Sequence, residues 1–148
     1  MNKKGVTLLE LIIVMVIIGI GAVLFIPNIS GWQRSYNLRR AARDIASTMR
    51  TAQMRAISTN MQYQVSFTLP ASYILQYIDT QGNTQTDGIT QTLPTGISIA
   101  AINIAGNNAV FNTNSTSSTG SITLQNIKGT QKILTLTPST ARVTITPP

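Results

Sequence analysis

The chain has 148 residues, 43% of them apolar, and carries 11 Lys and Arg against 4 Asp and Glu, for a formal charge of +7 with no His and no Cys. Thiol and imidazole chemistry are thereby excluded, and with them Cys/His zinc sites. The acids Glu10, Asp44, Asp79 and Asp87 fall in four different segments, so neither a metal site, a cofactor nor enzymatic activity is expected.

At the N-terminus Lys3-Lys4-Gly5 leads into Val6-Thr7-Leu8-Leu9-Glu10 and then an unbroken apolar run from Leu11 to Ile26. Fifteen of the 21 residues from Val6 to Ile26 are Leu, Ile, Val or Phe, and only Thr7 and Glu10 are polar. A helix of this length covers about 30 Å, one hydrocarbon core. Each large aliphatic favours insertion by about 0.3 to 0.6 kcal/mol, which outweighs about 3 kcal/mol for one acid. The run is longer than the h-region of a secretory signal peptide, and Pro27-Asn28-Ile29 follows it without a small-residue cleavage pattern. Glu10 remains the anomaly, because a carboxylate in an apolar medium needs an arriving cation. Helical periodicity resumes directly after Pro27, so this proline is expected to kink the helix rather than end it.

The order Lys-Lys-Gly, then Glu at the fifth place after Gly5, then 16 apolar residues closed by Pro27, resembles the class III signal of type IV pilins and type II secretion pseudopilins. The resemblance implies that a prepilin peptidase cuts between Gly5 and Val6 and methylates the new Val6 amine. It also implies that Glu10 pairs with that amine on a neighbouring subunit. Val6 departs from the Phe usual at this place, and still leaves a small aliphatic residue at the cut.

From Asn28 to Ser58 the pattern is helical. Leu38, Ala42, Ile45, Met49, Ala52 and Ala56 step by 4, 3, 4, 3 and 4, which draws one stripe of small and medium side chains expected to pack on a sheet. Around it lie Arg34, Arg39, Arg40, Arg43, Arg50 and Arg55, with Asp44 as the i+4 partner of Arg40. These cations are read as a solvated or subunit-facing surface, with contact to anionic lipid head groups as the next reading and nucleic acid as the third. Four of them follow the apolar run closely, and a count of positive charges would leave the large domain in the cytoplasm. The cleavage signal implies the opposite orientation, and long domains translocate largely regardless of charge.

After Thr59 the period becomes two. Val65, Phe67 and Leu69 alternate with polar residues, Pro70-Ala71 turns into Tyr73 to Ile78, and Asp79 to Gly88 is turn-rich. Ile97 and Ile99 share one parity and Ile102 and Ile104 the other, which places a bulge near Ala100-Ala101. Gly106-Asn107-Asn108 turns into Ala109 to Asn112, and the Ser/Thr/Asn tract from Thr113 to Gly120 reads as a mobile loop. Strands follow near Ser121 to Ile127, Lys132 to Thr137 and Ala141 to Thr146, turning at Lys128-Gly129 and Pro138-Ser139. A long helix followed by antiparallel strands makes an α+β fold.

Leu93-Pro94-Thr95-Gly96-Ile97, Ala109-Val110-Phe111-Asn112 and Thr137-Pro138-Ser139-Thr140-Ala141-Arg142-Val143 are similar to the GspH/FimT group of minor pilins and pseudopilins. The resemblance implies a type IV pilin-like fold in three parts: a leader over 1–5, a transmembrane and filament-core helix over 6–27, and a periplasmic or extracellular α+β domain over 28–148. It implies a structural subunit that primes, joins or caps a type IV pilus or a secretion pseudopilus. Its partners would be the prepilin peptidase, other pilin or pseudopilin subunits and the inner-membrane assembly platform. Before assembly it would sit in the inner membrane as a single-pass protein. A FimT branch is linked to DNA uptake through a C-terminal Gly-Arg-x-Arg turn, where this chain reads Ala141-Arg142-Val143-Thr144. Arg142, with Lys128 and Lys132 of the adjoining hairpin, is the nucleic-acid candidate on this alternative reading. Two or three cations make a small footprint for a phosphate backbone.

Overall fold

The computed structural model describes residues 7–146, the side chains of 23–30 excepted. The chain divides into two compact units, residues 1–34 and residues 35–148. The leader Met1 to Gly5 and the cleavage residue Val6 lie outside the described residues.

One helix, α1, runs Leu8–Thr59. Thr7 caps it: its hydroxyl accepts a hydrogen bond from the Glu10 N–H at 3.3 Å. Thr7-x-x-Glu10 has the spacing of a capping box. The helix passes through Pro27 without stopping there, as expected. Among the described residues no helix is long and apolar enough to cross a membrane. The apolar stretch with described side chains, Thr7 to Ala22, covers about 24 Å at the helical rise, less than a hydrocarbon core of about 30 Å. The span expected over 6–27 is therefore not found among these residues.

In the second unit the sequence stripe faces inward. Leu38, Ala42, Ile45, Met49, Ala52 and Ala56 are all buried, joined by Ala41 and Ala46. The alanines let the helix axis approach the sheets closely, and Ile45 and Met49 fill the gaps between them.

The sequence leads one to expect a single sheet, but there are two. The first has the order β3-β2-β1-β6, with β1 at Gln62–Thr68, β2 at Ser72–Ile78, β3 at Thr84–Thr86 and β6 at Asn108–Phe111, and the short β4 (Gln91–Thr92) also pairs with β2. The second has the order β5-β7-β8-β9, with β5 at Ile97–Asn103, β7 at Gly120–Asn126, β8 at Gln131–Thr137 and β9 at Arg142–Thr146. All pairings are antiparallel. Directly opposed aromatics, Tyr63 with Tyr77 at 5.7 Å and Phe67 with Tyr73 at 6.0 Å, fix the β1–β2 register. Both sheets contribute to one core with α1, including Val65 and Phe111 from the first and Ile122, Leu124 and Leu134 from the second. The register shift between Ile99 and Ala101 is the expected bulge.

The tract from Thr113 to Gly120 does not behave as the mobile loop its composition predicts. Ser117 is buried; its N–H donates to the Pro138 carbonyl at 3.0 Å and its hydroxyl to the Thr137 carbonyl at 3.3 Å. Phe111 and Ser117 form a single antiparallel bridge, and Asn112 donates to Thr116 from both its backbone and its side chain at 2.9 Å. This short polar segment ties β6 of one sheet to the β8–β9 turn of the other. Composition misleads because the hydroxyls and amides that suit a solvated loop equally satisfy buried backbone.

Asp79 sets the β2–β3 turn. Its carboxylate accepts from the Gln81 and Asn83 backbone N–H groups at 2.9 and 2.8 Å, and these bonds, that from Asn83 foremost, hold its pKa below the ordinary 3.8. A lowered pKa means that the unfolded chain binds the proton more readily, so the contribution is present above pH 3.8 and is lost as the pH falls through the folded value. Asp79→Asn is expected to flatten the acid limb by lowering stability at neutral pH toward the wild-type acid value, with little change at the acid end. Thermal unfolding from pH 7 to pH 2.5 reads this, and an unaltered acid limb would show that the turn bonds are not retained in solution.

Candidate functional site

Along α1 every Leu, Ile, Val and Met from Leu8 to Ile20 is 49–78% exposed, and the apolar residues cover the whole circumference of the helix. A helix apolar all round requires an apolar environment on every side. Glu10, in its first turn, is exposed. Gly5 and Val6 lie outside the described residues, as does the side chain of Pro27.

The three nucleic-acid candidates do not form a cluster. β8 and β9 pair Ile133 with Thr146 and Thr137 with Arg142, so Arg142 sits at one end of the hairpin and Lys132 near the other, with Lys128 in the β7–β8 turn. The expectation that Arg142 stands beside Lys128 or Lys132 is thus corrected by the antiparallel register. Each belongs to a different neighbourhood on α1: Arg142 shares a groove with Arg50 and Met54, and Lys132 a smaller hollow with Arg39 and Arg43. Gln53 donates to the Thr140 carbonyl at 3.3 Å and holds the helix against the β8–β9 turn. Ala141 in that turn has φ +47°, a conformation glycine adopts without penalty. The Gly of the Gly-Arg-x-Arg turn would suit this position, and here a buried alanine takes it.

On another side, α1, β2 and β4 enclose a polar cleft whose lining includes Ser47, Thr48, Thr51, Tyr73 and Thr92. Arg40 and Asp44 form an exposed i, i+4 ion pair at 3.6 Å beside it. Arg55 pairs with Asp87, and this contact raises the Arg55 pKa further. The pair anchors the segment after β3 to the helix across 32 positions of sequence. Both residues stand out in the sequence, one as a helical cation and one in an Asp-Gly turn, but nothing local links them. Burial pushes the Tyr73 phenol up. Among the described residues no three metal-ligating side chains come together.

A sequence profile described as the type II transport protein GspH matches residues 41–147, and one described as the prokaryotic N-terminal methylation motif matches residues 1–26. No curated protein matches the chain by sequence. Among solved structures the fold is similar to the minor pseudopilin EpsH from the type 2 secretion system of Vibrio cholerae, with a TM-score of 0.64, 9% identity, and coverage of 76% of this chain and 98% of that one. It is also similar to the type IV minor pilin FimU of Pseudomonas aeruginosa, with a TM-score of 0.61, 11% identity, and coverage of 78% and 92%. With one profile spanning most of its length and the methylation motif ahead of it, the chain belongs to the GspH family of type II transport proteins.

Proposed function

We propose that the protein is a non-enzymatic structural subunit, a minor pseudopilin or minor pilin, which enters a type II secretion pseudopilus or a type IV pilus through its N-terminal helix. The observation that carries this reading is the helix from Leu8 to Ile20, apolar on all sides with Glu10 in its first turn. Lipid before assembly, and the helices of neighbouring subunits after it, would satisfy such a surface. A prepilin peptidase would act between Gly5 and Val6. The freed Val6 amine would then be the cation that Glu10 of an adjacent subunit requires. The segment over 6–27 would hold the subunit in the inner membrane, with the domain over 28–148 on the periplasmic side. DNA uptake finds no comparable support, since Arg142, Lys128 and Lys132 stand apart.

Two roles are proposed for Glu10, completing the capping box of its own helix and pairing with a neighbour, and substitution distinguishes them. Glu10→Gln keeps a side chain suited to the capping box and removes the charge, whereas Glu10→Ala removes both. Both variants are expected to reach the membrane and to be lost from sheared filaments or pseudopili, as read by quantitative immunoblotting. Wild-type incorporation of Glu10→Gln would reduce the acid to a helix cap and sink the pairing role.

A further inference from the structure

Strand β9 ends the second sheet: its backbone pairs with β8 on one side, and no other strand pairs with it among the described residues. Along that open side runs a groove of about 690 Å³, lined by Thr140 and Ala141 of the β8–β9 turn, by every strand residue from Arg142 to Ile145, and from the helix by Arg50, Gln53 and Met54. Lining by consecutive strand residues places the backbone edge itself in the groove, because side chains of one face alone would contribute alternate positions. A second hollow of about 340 Å³ shares Ile145 with it and adds Arg39, Arg43 and Lys132. On α1 Arg39, Arg43, Arg50 and Met54 are spaced 4, 7 and 4 apart and so form one stripe above the strand.

The two hollows together therefore combine three properties. Their edge offers unpaired strand donors and acceptors, their floor is apolar with Met54, Val143 and Ile145, and five cations rim them with no acid among the lining residues. The ion pairs found among the described residues, Arg40 with Asp44 and Arg55 with Asp87, use none of these five. We propose that this groove binds an extended, acidic segment of a different protein, which adds to β9 as a further antiparallel or parallel strand and sets its carboxylates against Arg39, Arg43, Arg50, Lys132 and Arg142. A second copy of this chain does not fit. It carries +7, and of its four acids Asp44 and Asp87 are already paired, Asp79 is tied into its own turn and Glu10 lies in the first turn of the apolar helix. Duplex DNA is the other polyanion to consider, but a groove with an apolar floor matches alternating side chains better than a phosphate backbone. The inference is independent of N-terminal processing and stands or fails separately from it.

The test uses the full chain in detergent micelles and three fluorescein-labelled probes. The first is a peptide of about nine residues alternating Glu with Val and Thr, long enough to overhang β9. The second is the same peptide with every backbone nitrogen methylated, and the third is a short DNA duplex. The plain peptide is expected to bind by anisotropy and to slow amide exchange over Arg142 to Thr146. Arg50→Glu combined with Arg142→Glu should weaken it by about tenfold or more. Thr80→Glu, on the far β2–β3 turn, should leave it unchanged, and circular dichroism checks that each variant is folded. Methylation should abolish binding, since it removes the ladder donors and keeps the charge. Absence of binding by the plain peptide, equal binding by the methylated one, or tighter binding of the duplex through Arg50 and Arg142 would each overturn the proposal.

Discussion

Gly5→Val is expected to leave the protein uncut and absent from any filament, the largest functional effect foreseen for a single substitution. A β-branched side chain at the residue before the scissile bond stiffens and crowds the backbone that the peptidase must grip. The consequences compound. Lys3 and Lys4 remain attached, and two ammonium groups cannot follow the apolar helix into a hydrocarbon or protein interior. The Val6 nitrogen stays in a peptide bond, so Glu10 of a neighbour meets no positive charge. Mass analysis of the N-terminal peptide from membranes reads the outcome: Val6 with a methylated amine in the wild type, and an intact leader in the variant. A wild-type N-terminus at Met1, or one beyond Ile26, would sink the filament reading altogether.

Gly120→Ala should produce the largest loss of stability. Gly120 opens β7 at φ +148°, and a Cβ there would overlap the Asn103 carbonyl oxygen of β5 and lie 2.7 Å from Ile104 Cγ1. The carbonyl belongs to the backbone of a paired strand, so it cannot swing aside as a flexible side chain would. Strained backbone and overpacking together cost about 3 kcal/mol or more. That is a large part of a total stability of about 5 to 15 kcal/mol. A drop in melting temperature of about 12 °C or more is expected for a domain of this size. Gly106→Ala provides the comparison. Its φ is +63°, yet a Cβ there would meet nothing nearer than Asn108 Nδ2 at 3.7 Å, so the cost should be about 1 kcal/mol. Equal losses in the two variants would mean that left-handed backbone alone, and not the approach of β5, governs position 120.

What the sequence reveals here follows from the range of the interactions. The stripe from Leu38 to Ala56 is legible because a helix repeats its own geometry, and each inward residue is fixed by those three and four positions away. The bulge at Ala100-Ala101 is legible for the same reason, as a change of parity inside one strand. The division into two sheets is not, because the turn residues that join strands within a sheet also join strands between sheets. β3 and β4 escape notice because Thr84-Gln85-Thr86 and Gln91-Thr92 bury nothing and so carry no alternation. The basic cluster was misplaced because Lys132 and Arg142 fall in adjacent strands, while the hairpin's register sends them to opposite ends. Arg55 and Asp87 pair through the tertiary fold, which no local pattern encodes.

The buried stripe on α1 also constrains how this gene can drift. Between Leu38 and Ala56 the helix carries alanines against two sheets and arginines on the flanks, so inserting one residue would rotate everything beyond it by about 100° and drive a guanidinium toward the core. A seven-residue insertion restores the facing to within about 20° but slides the stripe along the sheets by about 10 Å. Length variation among relatives should therefore collect in exposed turns such as Thr80-Gln81-Gly82 and Thr113-Asn114-Ser115, and the span from Leu38 to Ala56 should behave as a ruler of constant length.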